Sequence, residues 1–502
     1  MENFYLVGSV VDQHTGGKVS RVKVEAWDKD PFLSDLVGCA VTDEQGNFSI
    51  EFDSSYFQEL LFDRKPDIYF KVFYKNKLIK STESSILWNL EAGKTIVRID
   101  VAVYSREDVY QKFLALAVDG VEDKPVLLYQ GIKNSPYENQ IKDYPQRLTQ
   151  VPDGKNIVSG TKVNSTFIPY PTLGELPVID ENGLNFLSEE IKEACICIGA
   201  FVDGQLQTKW LGRNALSNQQ FWSGTKIIPI LNVVSRVNLN SPTTVVENCN
   251  IKGNSEQGIP KDCQVYDLIR DVVSYEEKIG TSNSIAAMFK RFAPQVELEN
   301  WLKAITGNKN LIFRGRYGEK PLIDQPKLFD RITGQLMLAP DPLTPLWESN
   351  TISAYDLTRM VSMLGWHNYI PEKSRLPGAN WQSLETVIRA MGCDPARLFD
   401  LGIKELGLQS LLDSTVIISK LGNGASDARN RTEAVYIALV QFVTGNLSSD
   451  SQPPALYTLA MALRSAKVME PRDLNREVVE VDASMATEVT EILRRLLINE
   501  II

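Results

Sequence analysis

The first hundred residues alternate apolar and polar side chains in short runs broken by turns, and this period-two pattern stops near residue 104. Tyr5-Leu6-Val7-Gly8-Ser9-Val10-Val11 meets a turn at His14-Thr15-Gly16-Gly17, and Val22-Lys23-Val24-Glu25-Ala26-Trp27 follows. A second turn at Asp43-Glu44-Gln45-Gly46-Asn47 leads into Phe48-Ser49-Ile50-Glu51-Phe52, and runs at 67–74 and 94–101 complete the set. Alternation along a strand sends one face into a core and the other into water, so the segment predicts strands, not helices. Short strands with regular turn punctuation predict a small all-β sandwich over 1–104. A chain of 502 residues exceeds what one core organises and implies about two to four units.

Residues 105–190 are turn-rich, with prolines at 125, 136, 145, 152, 169, 171 and 177. The stretch holds too many aromatic and aliphatic side chains for a disordered linker, so it predicts a connector packed onto the next domain. From 191 the pattern is mixed. Ala194–Phe201 predicts a strand, Asp203-Gly204 a hairpin turn and Gln207–Leu211 its return. A helix is expected to open near Ser223, and helical spacing recurs at 285–292, 354–364, 381–390 and 396–406. Strands are predicted at 416–419 and 434–442, and an amphipathic helix at 485–498. Together these predict an α+β domain over 191–502, with helices layered on an antiparallel sheet.

Charge and cysteine usage narrow the function classes. A formal net charge of −10 argues against a nucleic-acid or anionic-membrane surface. The start lacks the basic and apolar regions of a secretory signal, and no tract is long enough for a membrane span, so the default expectation is cytoplasmic, with signal-independent export as the other route. The six cysteines make no Cys-x-x-Cys pair, so no zinc site and no cofactor is expected. Cys195 and Cys197 read as buried thiols; Cys249 and Cys263 flank a polar loop and could be bridged. The only histidines are His14, in a turn, and His367, read as structural. Asp28, Asp30, Asp35 and Asp53 read as solvated loop charges.

Three short motifs carry candidate chemistry. Phe221-Trp222-Ser223-Gly224-Thr225-Lys226 supplies Ser-x-x-Lys, a spacing that sets a lysine one helical turn from a hydroxyl it can deprotonate. About two such matches are expected by chance in a chain this long, and Ser20–Lys23 is another, set in a turn-and-strand region. Thr281-Ser282-Asn283-Ser284 lies 59 residues beyond Ser223, at the head of a helical run. Ser419-Lys420-Leu421-Gly422-Asn423 sits on a predicted strand.

In this order the motifs resemble the Ser-x-x-Lys, Ser-Asp-Asn and Lys-Thr-Gly elements of penicillin-binding proteins and serine β-lactamases. The resemblance implies a serine acyl-transfer hydrolase acting on a small-molecule or peptide substrate. Its catalytic residues would be Ser223, Lys226, Ser282 and Lys420, with Ser284, Gly422 and Asn423 binding substrate. Ser284 stands where the family has Asn, and Leu421 where it has a hydroxyl residue. Glu319 is the one nearby candidate for a deacylating base, and its surroundings do not match, so a true β-lactamase is not expected. The segment 365–412 is longer than the family's and reads as a lid or a partner surface.

Residues 1–104 resemble transthyretin-like, carboxypeptidase-regulatory-like modules through Gly8-Ser9-Val10-Val11-Asp12, Val24-Glu25-Ala26-Trp27-Asp28 and Thr42-Asp43-Glu44-Gln45-Gly46-Asn47-Phe48. That resemblance implies an accessory module that docks a protein partner. The alternative reading of the whole chain is an inactive scaffold in which Ser223 only caps a helix, Lys226 is a helix-surface charge and Lys420 an edge-strand lysine.

Overall fold

A computed structural model describes residues 3–13, 16–29, 34–54, 65–74, 77–118, 127–129, 131–313, 315–341, 351–409, 411–426, 430–445 and 453–501. His14 and Asp30 lie outside the described residues. The chain divides into two compact units: Met1–Val109 with Ile403–Leu411 and Asn446–Gln452, and Tyr110–Gly402 with Leu412–Gly445 and Pro453–Ile502.

Among the described residues the first unit carries seven strands: β1 (Asn3–Asp12), β2 (Lys23–Lys29), β3 (Ser34–Val41), β4 (Asn47–Asp53), β5 (Ile68–Tyr74), β6 (Lys77–Ser81) and β7 (Gly93–Val101). They form two sheets, ordered β4-β1-β7 and β3-β2-β5-β6. Inward side chains of both, among them Phe4, Leu6, Val24, Ile50, Phe70 and Ile99, share one apolar core. Gly8 lets β1 approach its parallel neighbour β7, since a Cβ there would stand 2.2 Å from Val97 O. Asp28, expected in solvent, is instead buried on β2, where its carboxylate accepts the N–H of Asp67 at 2.7 Å. A backbone donor replaces the water it loses.

The second unit is built on long antiparallel strands. β8 (Ile191–Val202) and β9 (Gln205–Arg213) form the predicted hairpin, with Asp203 and Gly204 at φ 49° and 75° as a two-residue turn requires. A smaller sheet follows, from β10 (Cys249–Asn254), β11 (Pro260–Gln264), β12 (Lys327–Asp330) and β13 (Leu336–Leu338), in the order β11-β10-β12-β13. β14 (Leu412–Ser426), β15 (Arg431–Thr444) and β16 (Ala455–Lys467) complete the main sheet, whose long strands run β9-β8-β16-β15-β14.

Among the described residues the α-helices are α1 (Arg106–Val118), α2 (Tyr144–Arg147), α3 (Ile227–Asn240), α4 (Val265–Ser274), α5 (Ser282–Phe289), α6 (Gln295–Thr306), α7 (Ala354–Gly365), α8 (Trp381–Met391), α9 (Leu398–Glu405) and α10 (Leu474–Leu497). β15 and β16 are buried on nearly every residue of both faces, with α7 and α10 packed against them. A sheet covered on both sides by helices is the expected layered α+β arrangement.

Several local expectations change. Ser223 sits in a 3₁₀ turn, Trp222–Lys226, and the α-helix proper begins at Ile227. β14 and α10 are far longer than predicted, and β16, α4, α6 and the small sheet are additional. The connector is tied down by backbone pairing: Val158–Ser159 pairs with β16, and Ile168–Pro169 and Ile179–Asp180 with β9. Neither a lid nor a partner surface describes α8 in the 365–412 segment, because Leu384, Val387 and Ile388 lie in the main core. His367 is buried beside Trp381, and burial lowers its pKa to about 4, so it is a neutral core residue. Cys249 and Cys263 are free thiols. Among the described residues, no helix is long and apolar enough to cross a membrane.

Candidate active site

Ser223 is held by its neighbours in sequence. Phe221 is a core side chain, and Gly224 packs so closely on β15 that a Cβ would stand 2.3 Å from Ile437 Cδ1. Trp222 adopts φ 43°, a left-handed conformation that costs a non-glycine residue about 1–2 kcal/mol and persists where surroundings enforce it. The enforcement is visible. Trp222 Nε1 donates to Glu433 Oε2 at 2.8 Å, and Arg464 joins Glu433 at 2.5 Å to Glu193 at 2.6 Å. This buried chain links the turn to three strands of the main sheet. Pro229 falls in the first turn of α3, where its missing N–H leaves no hydrogen bond unmade.

Three residues per turn bring Lys226 back to the side of Ser223. Lys226 is 1% exposed, and its Nζ donates to Ser282 Oγ at 2.7 Å. Burial drives its pKa well below the usual lysine value, and the positive charge of Lys420 adds to that. Ser282 opens α5 behind Thr281, whose hydroxyl caps the helix by accepting the N–H of Ser284 at 3.1 Å. Glu319 accepts hydrogen bonds from the Thr281 hydroxyl and from Asn283 Nδ2, so its carboxylate buttresses the start of α5. Ser284 turns back on its own helix, donating to Thr281 O at 3.0 Å.

Strand β14 forms the other wall. A Cβ at Gly422 would stand 2.9 Å from Ser223 N and 3.0 Å from Gly224 N, so only glycine lets the strand lie against the serine turn. Lys420 is fully buried, and its Nζ donates to Tyr275 Oη at 2.5 Å and to Leu421 O at 3.1 Å. Burial lowers its pKa, while the buried carboxylate of Asp394 opposes that shift. Asp394 is itself raised by burial, and its Oδ2 has no hydrogen-bond partner among the described residues.

Tyr275 is the residue that motif reasoning misses. It ends α4 at φ 57°, in a loop fixed by Asp271, which accepts the N–H groups of Lys278, Ile279 and Gly280. Its phenol donates to Leu421 O at 3.0 Å and accepts from Lys420. Tyr129 packs edge-on against it at 5.8 Å and donates to Asn423 Oδ1 at 3.2 Å. Burial raises both phenols, Tyr129 to about 12, so both are protonated at neutral pH.

Ser223, Lys226, Ser282, Lys420, Gly422 and Asn423 thus line one site, brought together from three distant segments. Ser284 stands beside it with its hydroxyl spent on the backbone. Among the described residues, Lys226 bonds Ser282 and not Ser223. The competing Ser20–Lys23 pair leads nowhere: Lys23 lies on β2, paired with Glu25 at 2.7 Å. Tyr129, Tyr275, Asp394 and Trp222 carry no motif signature; only an aromatic placed in the polar loop 275–280 hints at a role.

No family model and no curated protein matches this chain. Among solved structures it is similar to a mutant of the class A β-lactamase of the last common ancestor of Gram-negative bacteria, at 13% identity and TM-score 0.33, over 62% of this chain and 98% of that one. A putative class A β-lactamase from Rhodopseudomonas palustris is 13% identical, with TM-score 0.35 over 61% of this chain and 98% of the other. A peptidoglycan synthetase from Bifidobacterium adolescentis is 8% identical, with TM-score 0.27 over 60% and 57%.

Proposed function

We propose that the second unit is a serine acyl-transfer hydrolase acting on amide or ester carbonyls of a small molecule or peptide. The observation that carries this reading is the buried Lys226 Nζ–Ser282 Oγ bond of 2.7 Å, one 3₁₀ turn from Ser223. A lysine kept neutral by burial is a base at physiological pH. In this reading Lys226 takes the Ser223 proton as Oγ attacks the carbonyl carbon. The N–H of Ser223 and the β14 backbone near Asn423 donate to the developing oxyanion. The proton passes through Ser282 to the leaving amine or alcohol, giving an acyl-serine that water cleaves to free acid and serine. Lys420 supplies positive potential beside Lys226 and Ser282. The first unit is then an accessory module, and a protein partner would dock there.

A fluorescent penicillin and a fluorophosphonate test this. Labelling that survives Ser20→Ala and disappears in Ser223→Ala supports the hydrolase. Absent labelling, together with no turnover of simple esters, refutes it.

One observation favours a second reading, a non-catalytic scaffold: Lys226 Nζ bonds Ser282 Oγ and not the Ser223 hydroxyl. Ser223 labelling that is abolished by Lys226→Met would set that reading aside.

A further inference from the structure

The Tyr275 phenol donates its proton to Leu421 O and accepts from Lys420 Nζ. These partners are the strand carbonyl and the cation that flank Ser223, because Gly422 of the same strand lies against the serine turn. The phenol therefore stands where substrate would stand. Its ring also lies 3.9 Å from Lys420 Nζ and 5.7 Å from Lys226 Nζ.

Tyr129 closes over this arrangement. It packs on the Tyr275 ring and bonds Asn423, the residue beside the proposed oxyanion donors. Its own position is set from below. Leu127 and Leu128 are fully buried, and their N–H groups both donate to Asp482 of α10, at 2.6 and 3.1 Å. Two successive backbone amides on one buried carboxylate fix the direction of the chain as it delivers Tyr129.

We infer that Tyr129 and Tyr275 form an aromatic gate across Ser223, held shut by the grip of Asp482 on the N–H groups of Leu127 and Leu128. Acyl substrate reaches the serine when Tyr129 lifts and Tyr275 gives up its place. The inference rests on Ser223 being the reactive hydroxyl of the site, and its test separates the two ideas.

The Ser223→Cys protein is alkylated with iodoacetamide and the modified sites are followed by peptide mass mapping. Exposed Cys39 and buried Cys195 serve as fast and slow internal references. The expected result is slow modification at 223, accelerated about tenfold or more by Tyr129→Ala and by Asp482→Ala, as expected when a local opening equilibrium shifts. Because Asp482→Ala removes a buried acceptor, Tyr129→Ala is the decisive variant, with thermal melting to confirm the fold. Modification at 223 as fast as at Cys39 in the otherwise unchanged chain, or a rate unmoved by Tyr129→Ala, overturns the gate. An accelerated thiol with no fluorophosphonate on the native serine in any background supports the gate and overturns the hydrolase.

Discussion

Gly422→Ala tests whether strand β14 and the serine turn form one rigid unit. A Cβ at 422 stands 2.9 Å from Ser223 N, 3.0 Å from Gly224 N and 3.1 Å from Trp222 Cβ, whereas ordinary contact begins at 3.4 Å. Relief needs about half an ångström of separation, because protein interiors are close-packed. Neither side yields easily. Trp222 is tied to Glu433, Gly224 lies against Ile437, and β14 is paired with β15 along its length. Overpacking of this kind costs about 1–3 kcal/mol. At about 1–2 °C per kcal/mol for a unit of nearly 400 residues, Tm should fall by roughly 1–6 °C. Catalysis is more sensitive: about 1 Å of misplacement costs on the order of a hundredfold, so half of that predicts a loss of roughly tenfold in the acylation rate of Ser223. Differential scanning calorimetry and stopped-flow labelling with a fluorescent penicillin measure the two quantities. Parental Tm and parental labelling in Gly422→Ala would refute the reasoning, since a Cβ would then fit where none should.

Lys226→Met should raise Tm at pH 7 while abolishing Ser223 labelling. A lysine with a depressed folded pKa holds its proton more tightly in the unfolded chain, so its penalty is fully present below the folded pKa and fades as pH rises toward 10.5. Melts at pH 7 and pH 10 should therefore show a gain that shrinks, and a constant gain would count against the depressed pKa. Trp222→Phe removes the donor to Glu433 and should cost about 1.5–3 kcal/mol by urea unfolding, the range for hydrogen bonds to charged groups. Reducing agent should leave Tm unchanged, because Cys249 and Cys263 are free; a fall in Tm on adding dithiothreitol would show a bridge.

What the sequence discloses depends on whether a segment keeps local punctuation. β1, β2 and β4 are legible because apolar and polar side chains alternate along them, and the β8–β9 hairpin because its turn needs Asp and Gly, although β8 itself is buried on both faces. β16 is not: Ala455–Lys467 is buried on both faces, and its apolar run Leu459–Leu463 shows no alternation and reads equally well as helix. The site divides the same way. Ser223, Lys226, Ser282 and Lys420 are legible because the proposed acyl-transfer chemistry would demand these residue types at fixed spacing. Tyr275 and Tyr129 are not, because their roles come from a left-handed helix end and from a carboxylate 355 positions away in sequence from Leu127. The start of α3 is misread by one turn because Trp222 takes a conformation that only its bond to Glu433 and the close packing around it sustain.

The placement of β16 bears on how this chain acquires its shape. β8 forms its hairpin with β9 locally, yet its other edge pairs Ala194 with Leu463, a partner made long afterwards on the ribosome. Until β16 emerges, β8 presents an unpaired, largely apolar edge, the kind of surface that invites misassociation. Loop closure over such separations slows folding, so the main sheet is expected to assemble late and to depend on chaperone protection in the interval. A nascent chain arrested after β15 would carry every residue of the motif set and still lack the strand that joins the two halves of the sheet.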